Sequence, residues 1–409
     1  MPEPHRNLHY QMRNLKTPNN TKLKVLRSKT EIDEIRLQWL SLSGHEESDF
    51  HFFTQLLTES MGIVRPHVVA VYTGDRLEAI LAGRLELTRL SRLSVGYLKN
   101  RPAARVLYFV YGGLRGDSSE LNASLIVSSI CQSLVAGEAD VAYLNFLDRN
   151  SGLFRAARRI PGFAIRDFMC NRQRHYNLDL PPGADGFKSA FLHRVPKNRR
   201  WAKMDRSIGT DVQIRCYEKE SEIDDLAAAA EQIAQNSYQR RLGVGFVDSD
   251  QQRSRLLFKS KQGWLRAYVL FIEGSPAAFW IGDIYAGVFG SDYLGFHSAF
   301  AKYSPGLYLI LNVIGSISRE GFVHRVDFAV GHADYKELLS NSIVIEEEVY
   351  IFAPTRKGLS LKLLKTTVVT ANACAKYTMS RLGFLKWAKK RWRQHLTKLE
   401  RSAHSDSKD

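Results

Sequence analysis

Four side chains capable of acid–base chemistry lie in one short stretch, residues 327 to 336. Asp327 and His332 can accept a proton, and Tyr335 can donate one. Lys336 can hold an anion. Each also has a structural interpretation, because an aspartate can cap or pair, a tyrosine can belong to the core, and a lysine can face solvent. We predict these four as the catalytic residues.

The element that must position them is a helix that begins at Ser304-Pro305-Gly306. Ser304 suits the N-cap because its hydroxyl can accept a bond from a first-turn N–H, and Pro305 suits the first helical position. Gly321 supplies a left-handed stop, so the helix should end near Glu320.

The N-terminal end of this helix is a candidate anion site. Free N–H groups and the helix dipole favour a phosphate there, and a glycine permits close approach of the backbone. We therefore predict cofactor-binding residues Ser304, Pro305 and Gly306, together with Phe296 at the end of the preceding strand. The alternative is an ordinary core helix that is well capped.

Substrate-binding residues are predicted at two places. The first group lies on the strands and loop before the helix: Asp283, Asp292, Tyr293 and His297. The second group is Arg199 and Arg200, in a segment (residues 187–209) with six Lys and Arg between Phe191 and Arg206. Such a segment can grip an anionic substrate or a phosphate backbone, or it can be a solvated linker helix.

Length and composition restrict the possible domain organisation and location of the protein. A chain of 409 residues predicts two domains, with the charged and apolar fractions of a globular protein. No apolar run has the length of a membrane span, and the start lacks the apolar core of a signal peptide, so we expect a cytoplasmic protein. The four cysteines are scattered without metal-ligand spacing, and no metal site is predicted.

The order of predicted elements repeats. Each half reads strand, two helices, hairpin, strand, helix, strand, short helix, strand. We predict a flexible N-terminus (1–20), a first domain (21–186), a second domain with a leading basic helix (187–355) and a tail (356–409). In the first half, the GGLRG sequence at residues 112–116 is expected to be a loop, either a tight turn or an anion cradle.

The tail holds most of the excess charge. From Arg356 to Asp409 there are 14 Lys and Arg against 3 Asp and Glu, in a chain of net charge +16. Basic and aromatic residues interleave along predicted helices over 361–396, a pattern that suits an anionic membrane surface. RNA contact and a helix packed back on the body are the alternatives.

These motifs resemble a known family. The element order of each half looks like the GCN5-related N-acetyltransferase (GNAT) fold, and its repetition resembles the tandem FemABX peptidyltransferases. More specifically, the sequence is similar to the BioF2-like or CelD-like acetyltransferase domain over residues 187–350, on these residues: Tyr293, Ser304-Pro305-Gly306, Asp327-Phe328, Gly331 and Tyr335-Lys336. The fold class expected is therefore α+β, with two GNAT-like domains that each have a mixed twisted sheet flanked by helices, plus a basic helical tail.

The resemblance implies an acyl-CoA donor whose pyrophosphate lies over Ser304 to Gly306. Asp327 and His332 would then be candidate bases, Tyr335 the acid, and Lys336 an anion anchor. We expect an N-acyltransferase that acts on an amino group of a sugar, an envelope precursor or a small metabolite, with a role in exopolysaccharide or cell-envelope synthesis at the inner membrane face. The alternatives are a FemABX-like transferase that uses aminoacyl-tRNA and an inactive GNAT-fold adaptor for a membrane or a partner.

Overall fold

The strands of the chain join a single sheet. The computed structural model describes residues 20–59, 62–89, 103–180, 211–237, 240 and 245–381. Within these residues the strands are β1 (Thr21–Leu26), β2 (Ile63–Pro66), β3 (Val68–Thr73), β4 (Arg76–Arg89), β5 (Ala103–Gly116), β6 (Val141–Asp148), β7 (Asn171–Asp179), β8 (Val212–Tyr217), β9 (Leu265–Ile272), β10 (Ser275–Tyr285), β11 (Val288–Phe296), β12 (Arg325–Val330) and β13 (Ser342–Phe352).

Ten α-helices in the described residues flank this sheet. They are α1 (Lys29–Glu34), α2 (Arg36–Ser41), α3 (Phe50–Glu59), α4 (Glu120–Val135), α5 (Gly152–Arg159), α6 (Ile223–Gln235), α7 (Asp250–Lys261), α8 (Pro305–Glu320), α9 (Asp334–Leu339) and α10 (Arg356–Arg381). We call residues 20–180 the first half and residues 211–352 the second half.

The sheet has 13 strands in the order β1-β3-β4-β5-β6-β13-β7-β12-β11-β10-β9-β8, with β2 paired to β4. Each half contributes one parallel pair, β5–β6 and β11–β12. In the first half, α4 and α5 pack on one face and α1 to α3 on the other. In the second half, α8 packs on one face and α6 and α7 on the other. The expected α+β fold with flanking helices is confirmed.

The two halves exchange a strand at the centre of the sheet. β7, from the first half, pairs antiparallel with β12 of the second half. β13, from the second half, pairs antiparallel with β6 of the first half, and β7 and β13 pair with each other. The strand order therefore repeats on either side of the β7–β13 pair. The predicted boundary near residue 187 stays a prediction, because residues 181–210 lie outside the described part of the chain.

Corresponding strands of the two halves carry the same irregularity. The register of β6 against β13 shifts where Phe146 adopts a left-handed φ of 42°. The register of β12 against β7 shifts where Ala329 adopts a φ of 60°. A left-handed backbone is unfavourable for a residue with a side chain. Two such residues, Phe146 and Ala329, occupy equivalent positions in the two halves, and this supports the repetition inferred from element order.

Helix α8 has the predicted length, but its N-terminus is not capped as predicted. It runs from Pro305 at its first position to Glu320, and Gly321 ends it with a φ of 80°, as predicted. The predicted cap at Ser304 is wrong, since its side chain makes no capping bond and its φ is 52°. The chain reaches α8 directly from a 3₁₀ segment, Ser298–Tyr303, and the left-handed Ser304 provides the change of direction.

The structure corrects one further expectation. The GGLRG sequence, expected to be a loop, belongs to β5, where Leu114 and Arg115 pair with Leu81 and Ile80 of β4. The buried Arg115 guanidinium also donates to backbone carbonyls of Leu42 and His45.

Two other segments depart from regular structure. The helices α1 and α2 meet at Ile35 and do not form one continuous helix. Residues 163–169 are irregular, apart from one bridge at Arg166, whose guanidinium donates to the carbonyls of Arg159 and Pro161.

The described part of the tail packs on the body. Leu361 and Val368 of α10 are buried. Lys365 Nζ donates to Asp167 Oδ2 at 2.6 Å and lies 4.6 Å from the centre of the Tyr350 ring. Residues 382–396, which carry most of the aromatic and basic pattern, lie outside the described residues, so the membrane contact over 361–396 stays a prediction. Among the described helices, none combines the length and the apolar character needed to cross a membrane.

The strand exchange predicts that the halves depend on each other. Residues 1–186 produced alone would lack β13, so both β6 and β7 would lose a neighbouring strand. We expect no cooperative thermal unfolding transition from this fragment by circular dichroism. Co-expression with residues 187–409 should restore a soluble complex that unfolds cooperatively. A fragment that unfolds cooperatively on its own would contradict this prediction.

Candidate active site between the two halves

The parallel strands of the second half separate soon after they meet. β11 and β12 pair only at Val288–Arg325, Phe289–Val326 and Gly290–Asp327, although both strands continue beyond these positions. A cavity of about 330 Å³ lies at this opening. It is bounded by β10, β11 and β12 and by a first-half loop, residues 44–47. The side chains of both halves therefore face one space.

Acidic groups dominate this cavity, which we call the acidic cavity. Its lining includes Glu46, Glu47, Asp283, Asp292 and Asp327. The chain as a whole carries a net charge of +16. The cluster of carboxylates in this cavity therefore contrasts with the positive charge of the whole chain. Such a cavity favours a cationic ligand over an anionic one.

A buried lysine occupies the centre of the acidic group. Lys259 Nζ of α7 contacts Asp283 Oδ2, lies 2.7 Å from Asp292 Oδ2 and lies 3.3 Å from Glu46 Oε1. Burial lowers the pKa of Lys259, but the three carboxylates outweigh burial and hold it well above its usual range. Burial also raises the pKa of Asp283 and of Asp292, although Lys259 opposes this. The lysine is therefore charged, and the carboxyl groups compete for a single cation.

The first-half loop over the cavity is held by Arg115. Its guanidinium donates to the carbonyl of Leu42 at 2.7 Å, to the carbonyl of His45 at 2.9 Å and to the hydroxyl of Tyr285 at 3.1 Å. These bonds join the loop to β5 and to the second half. With its donors engaged in this way, Arg115 positions the loop, and the anion cradle considered for GGLRG is not formed.

Glu47 is the titratable group whose pKa best suits proton transfer at neutral pH. Burial raises the pKa of its carboxyl to about 7, and Lys259 opposes that rise. Its backbone N–H donates to His45 Nδ1 at 3.1 Å, which fixes the turn of the loop. A carboxylate with a pKa near the working pH is an effective general base.

A buried histidine joins the site to the strand exchange. His175 on β7 lies with Nε2 2.5 Å from Asp327 Oδ1 on β12 and with Nδ1 3.2 Å from Glu346 Oε2 on β13. The Tyr111 hydroxyl of β5 lies 3.0 Å from His175 Nδ1 and donates to Glu346 Oε1 at 3.0 Å. Burial lowers the pKa of His175, but its bonds to Asp327 and Glu346 outweigh burial and raise it to about 9.

Three predicted residues line the acidic cavity: Asp283, Asp292 and Asp327. Burial raises the pKa of Asp327, but the bond from His175 outweighs this and holds it below its usual range. Asp327 Oδ1 also accepts from the backbone N–H of Ala329 at 2.6 Å. Asp327 is therefore ionised and already engaged, which suits a positioning role better than that of a free base.

The structure places three predicted catalytic residues outside this lining. His332 is 62% exposed and its Nε2 lies 3.7 Å from Asp334. Tyr335 packs on the second-half core, where burial raises its pKa to about 12. Lys336 Nζ donates to the carbonyls of Ala329 and Val330, and burial lowers its pKa to about 8. Lys336 therefore holds the end of β12, where the sequence suggested an anion anchor.

Two predicted substrate residues also face elsewhere. Tyr293 Oη donates to Gln252 at 3.4 Å and its ring packs against Phe246. His297 Nδ1 accepts from the Ala299 N–H at 3.2 Å and so caps the 3₁₀ segment. Arg199 and Arg200 lie outside the described residues. Their substrate-binding roles stay predictions.

The predicted cofactor residues lie together at the start of α8. Phe296 ends β11 and its ring stands against Gly306, where an added Cβ would lie 3.5 Å from Phe296 Cδ1. No acidic residue occupies the first turn of α8. In the first half, by contrast, Ser119 caps α4, Glu120 lies in its first turn, and Asp117 Oδ1 accepts from the Ser119 N–H. Of the two helix N-termini, that of α8 is therefore the one that suits an anion.

Residues 193–337 match the family described as an Acetyltransferase (GNAT) domain. A crystal structure of FemX is similar over 80% of this chain and 96% of its own, with 7% identity and a TM-score of 0.51. The fold is GNAT-like. Two other structures match less well. A protein of unknown function from Bacteroides thetaiotaomicron has 9% identity and a TM-score of 0.47, over 80% of this chain and 100% of its own. A tandem GNAT protein from the clavulanic acid biosynthesis pathway has 12% identity and a TM-score of 0.46, over 82% of this chain and 99% of its own. No curated protein sequence matches the chain.

The sequence did not indicate several titratable residues of this site, among them Glu46, Glu47, Tyr111, His175, Lys259 and Glu346. One signal for them was present in β13. This strand reads SIVIEEEVYIF, with three glutamates inside an apolar run, and all three are buried. Buried carboxylates need partners, so the run indicated cationic or hydroxyl groups on neighbouring strands. Glu47 and Lys259 gave no comparable signal.

The first site prediction concerns His175. His175→Ala would leave Asp327 and Glu346 buried without their cation, and we expect a loss of about 3–5 kcal/mol in the free energy of unfolding. Because the folded pKa of His175 is about 9 and lies above the usual histidine pKa of 6.5, its stabilisation is complete below about pH 6.5 and is lost as the pH rises through 9.

Denaturant unfolding between pH 6 and 10 measures both effects. Adding Glu346→Gln to His175→Ala removes one unpaired carboxylate and should recover part of the loss. Equal stability of wild type and His175→Ala at pH 6 would show that the pairing contributes nothing.

The second site prediction concerns Glu47. Its folded pKa of about 7 exceeds the usual glutamate pKa of 4.5, so its contribution to stability is complete below about pH 4.5 and is lost as the pH rises through 7. Glu47→Gln should therefore raise stability at pH 8 by about 2 kcal/mol, after allowance for partial solvent access, and change it little at pH 4.5. Urea unfolding at the two pH values tests this, with the exposed Glu34→Gln as control. A gain at both pH values would exclude a raised pKa.

Proposed function

We propose that this chain is an N-acyltransferase that moves an acyl group from acyl-CoA to an amino group held in the acidic cavity. One observation carries the proposal. In a GNAT-like fold, β11 and β12 separate beyond Gly290 and Asp327, and the space at this separation is lined by carboxylates from both halves. An amine acceptor is cationic before reaction, so these carboxylates favour its binding, and one of them can then accept its proton.

The donor is assigned to the start of α8. Ser304, Pro305 and Gly306 would hold its pyrophosphate, since the helix dipole is positive there and the first turn carries no acid. The bound thioester would supply the activated acyl group: the acceptor nitrogen would bond to the acyl carbon, the C–S bond would break, and CoA would leave as a thiolate that takes a proton from solvent. The corresponding first-half helix, α4, already has Asp117 and Glu120 at its start, and these disfavour a second phosphate group there.

Glu47 is the base in this proposal. Its carboxylate would take the ammonium proton at a pH near 7, and the charged Lys259 beside it keeps part of the population ionised. Asp327, held by His175, would orient the acceptor in the same cavity. Tyr335 and Lys336, which lie outside the lining, are not assigned a proton-transfer step.

The finer assignment follows the sequence resemblance. The BioF2-like or CelD-like motif supports an acceptor among amino sugars, envelope precursors or small metabolites, and a role in exopolysaccharide or envelope synthesis. The similarity to FemX extends to the fold alone at 7% identity, and aminoacyl-tRNA is kept as the alternative donor.

Ligand-dependent thermal stability tests the donor assignment. CoA, acetyl-CoA and longer acyl-CoAs should raise Tm with concentration, because binding to the folded state adds a free energy of unfolding that grows as RT ln(1 + [L]/Kd). Gly306→Glu places a carboxylate at the helix start and should abolish the shift. Gly306→Ala is the matched control: its Cβ would make an ordinary 3.5 Å contact with Phe296, so the shift should be retained.

Three outcomes would count against this assignment. No shift with any CoA would remove acyl-CoA as the donor, and salt-dependent binding of tRNA would then favour the FemABX-like reading. Equal loss in the Ala and Glu variants would indicate a packing defect. An undiminished shift in Gly306→Glu would place the donor elsewhere.

A further inference from the structure

A second cavity adjoins the acidic cavity on the side of the first half. It has a volume of about 220 Å³ and lies where β5 and β6 separate after their paired residues, Val106–Phe109 and Val141–Leu144. We call it the apolar cavity. Its side chains are mainly hydrocarbon: Leu81, Phe109, Val110, Leu114, Leu144, Leu147 and Leu153.

The two cavities share four lining residues: His45, Tyr111, Asn145 and Phe146. The His45 and Tyr111 rings meet edge to face with centroids 4.9 Å apart. Phe146 holds a left-handed φ of 42°, a conformation that costs energy for an aromatic residue. At the matching position of the second half stands the small Ala329. The two cavities therefore adjoin each other, and we call them together the cleft.

We infer that this cleft takes an amphipathic amine, with a primary ammonium group among the carboxylates of the acidic cavity and an apolar chain or ring in the apolar cavity. The inference rests on the proposed function and narrows its acceptor. The ammonium would lie near Glu46 and Glu47, where carboxylates outnumber the single Lys259 ammonium. At about 30 Å³ per water-sized group, the apolar cavity holds about seven carbon atoms.

The acyl chain of the donor is the competing occupant of the apolar cavity. An amine acceptor instead satisfies both compartments at once, because its cation meets the acids and its hydrocarbon part leaves water.

Primary alkylamines test the inference directly. Ethylamine, n-butylamine and n-octylamine would be titrated into the full-length protein, with n-octanol and octanoate as matched probes that lack the cation. We expect affinity to rise about threefold per added methylene up to about seven carbons. Octanoate should not bind, and octanol should bind more weakly than octylamine. Octanoate binding as tightly as octylamine would overturn the inference.

Two half-buried leucines provide the matched variants. Leu114→Trp fills the apolar cavity from β5 and should remove the dependence on chain length while leaving ethylamine binding in place. Leu23→Trp on β1 changes a half-buried leucine packed on the same core but outside both cavities, and should bind like wild type. Leu147→Trp, also half-buried, repeats the test if Leu114→Trp unfolds. Equal chain-length dependence in all variants would contradict the inference.

Acyl-CoA titrations of the same variants separate this inference from the donor assignment. We expect Leu114→Trp to bind octanoyl-CoA and acetyl-CoA as wild type does. If it loses octanoyl-CoA but keeps octylamine, the apolar cavity holds the donor chain and the inference fails. If no CoA binds wild type while octylamine does, the proposed function fails and the amine site stands.

Discussion

The structure depends on one buried cation at the exchange of strands between its halves. His175 on β7 lies between Asp327 of β12 and Glu346 of β13, so its charge holds together strands that belong to different halves. The pairing raises the pKa of His175 to about 9, which keeps it charged at neutral pH. An uncompensated carboxylate in that position would be costly, so the exchange and the ion pairs require each other.

The same constraint shapes the site. Because Asp327 is engaged by His175, the acidic cavity has one fixed carboxylate on its second-half wall and one titratable carboxylate, Glu47, on its first-half wall. Lys259 neutralises only part of the remaining charge. The two halves thus contribute different chemistry to one space, although they repeat the same element order. The N-termini of the corresponding helices also differ: acidic side chains at the start of α4 disfavour an anion there, whereas the first turn of α8 has no acidic residue.

Local patterns predicted most elements because their causes are local. Pro305 at the first helical position and the stop at Gly321 gave the limits of α8. The errors came where a distant partner overrode the local signal. GGLRG looks like a loop by composition, yet it pairs with Ala79, Ile80 and Leu81 of β4 and belongs to β5.

The sequence by itself determined the GNAT-like order, the α8 helix and the acidic residues Asp283, Asp292 and Asp327. Only the tertiary structure decided which of the predicted groups meet. His332 and Lys336 are close to Asp327 along the chain, but neither lines the cavity, because His332 is largely exposed and Lys336 donates to the carbonyls of Ala329 and Val330. Glu47 and His175 are far away in sequence and lie beside it. Proton affinity in a buried site is set by neighbours brought from other strands, and no local pattern encodes those neighbours.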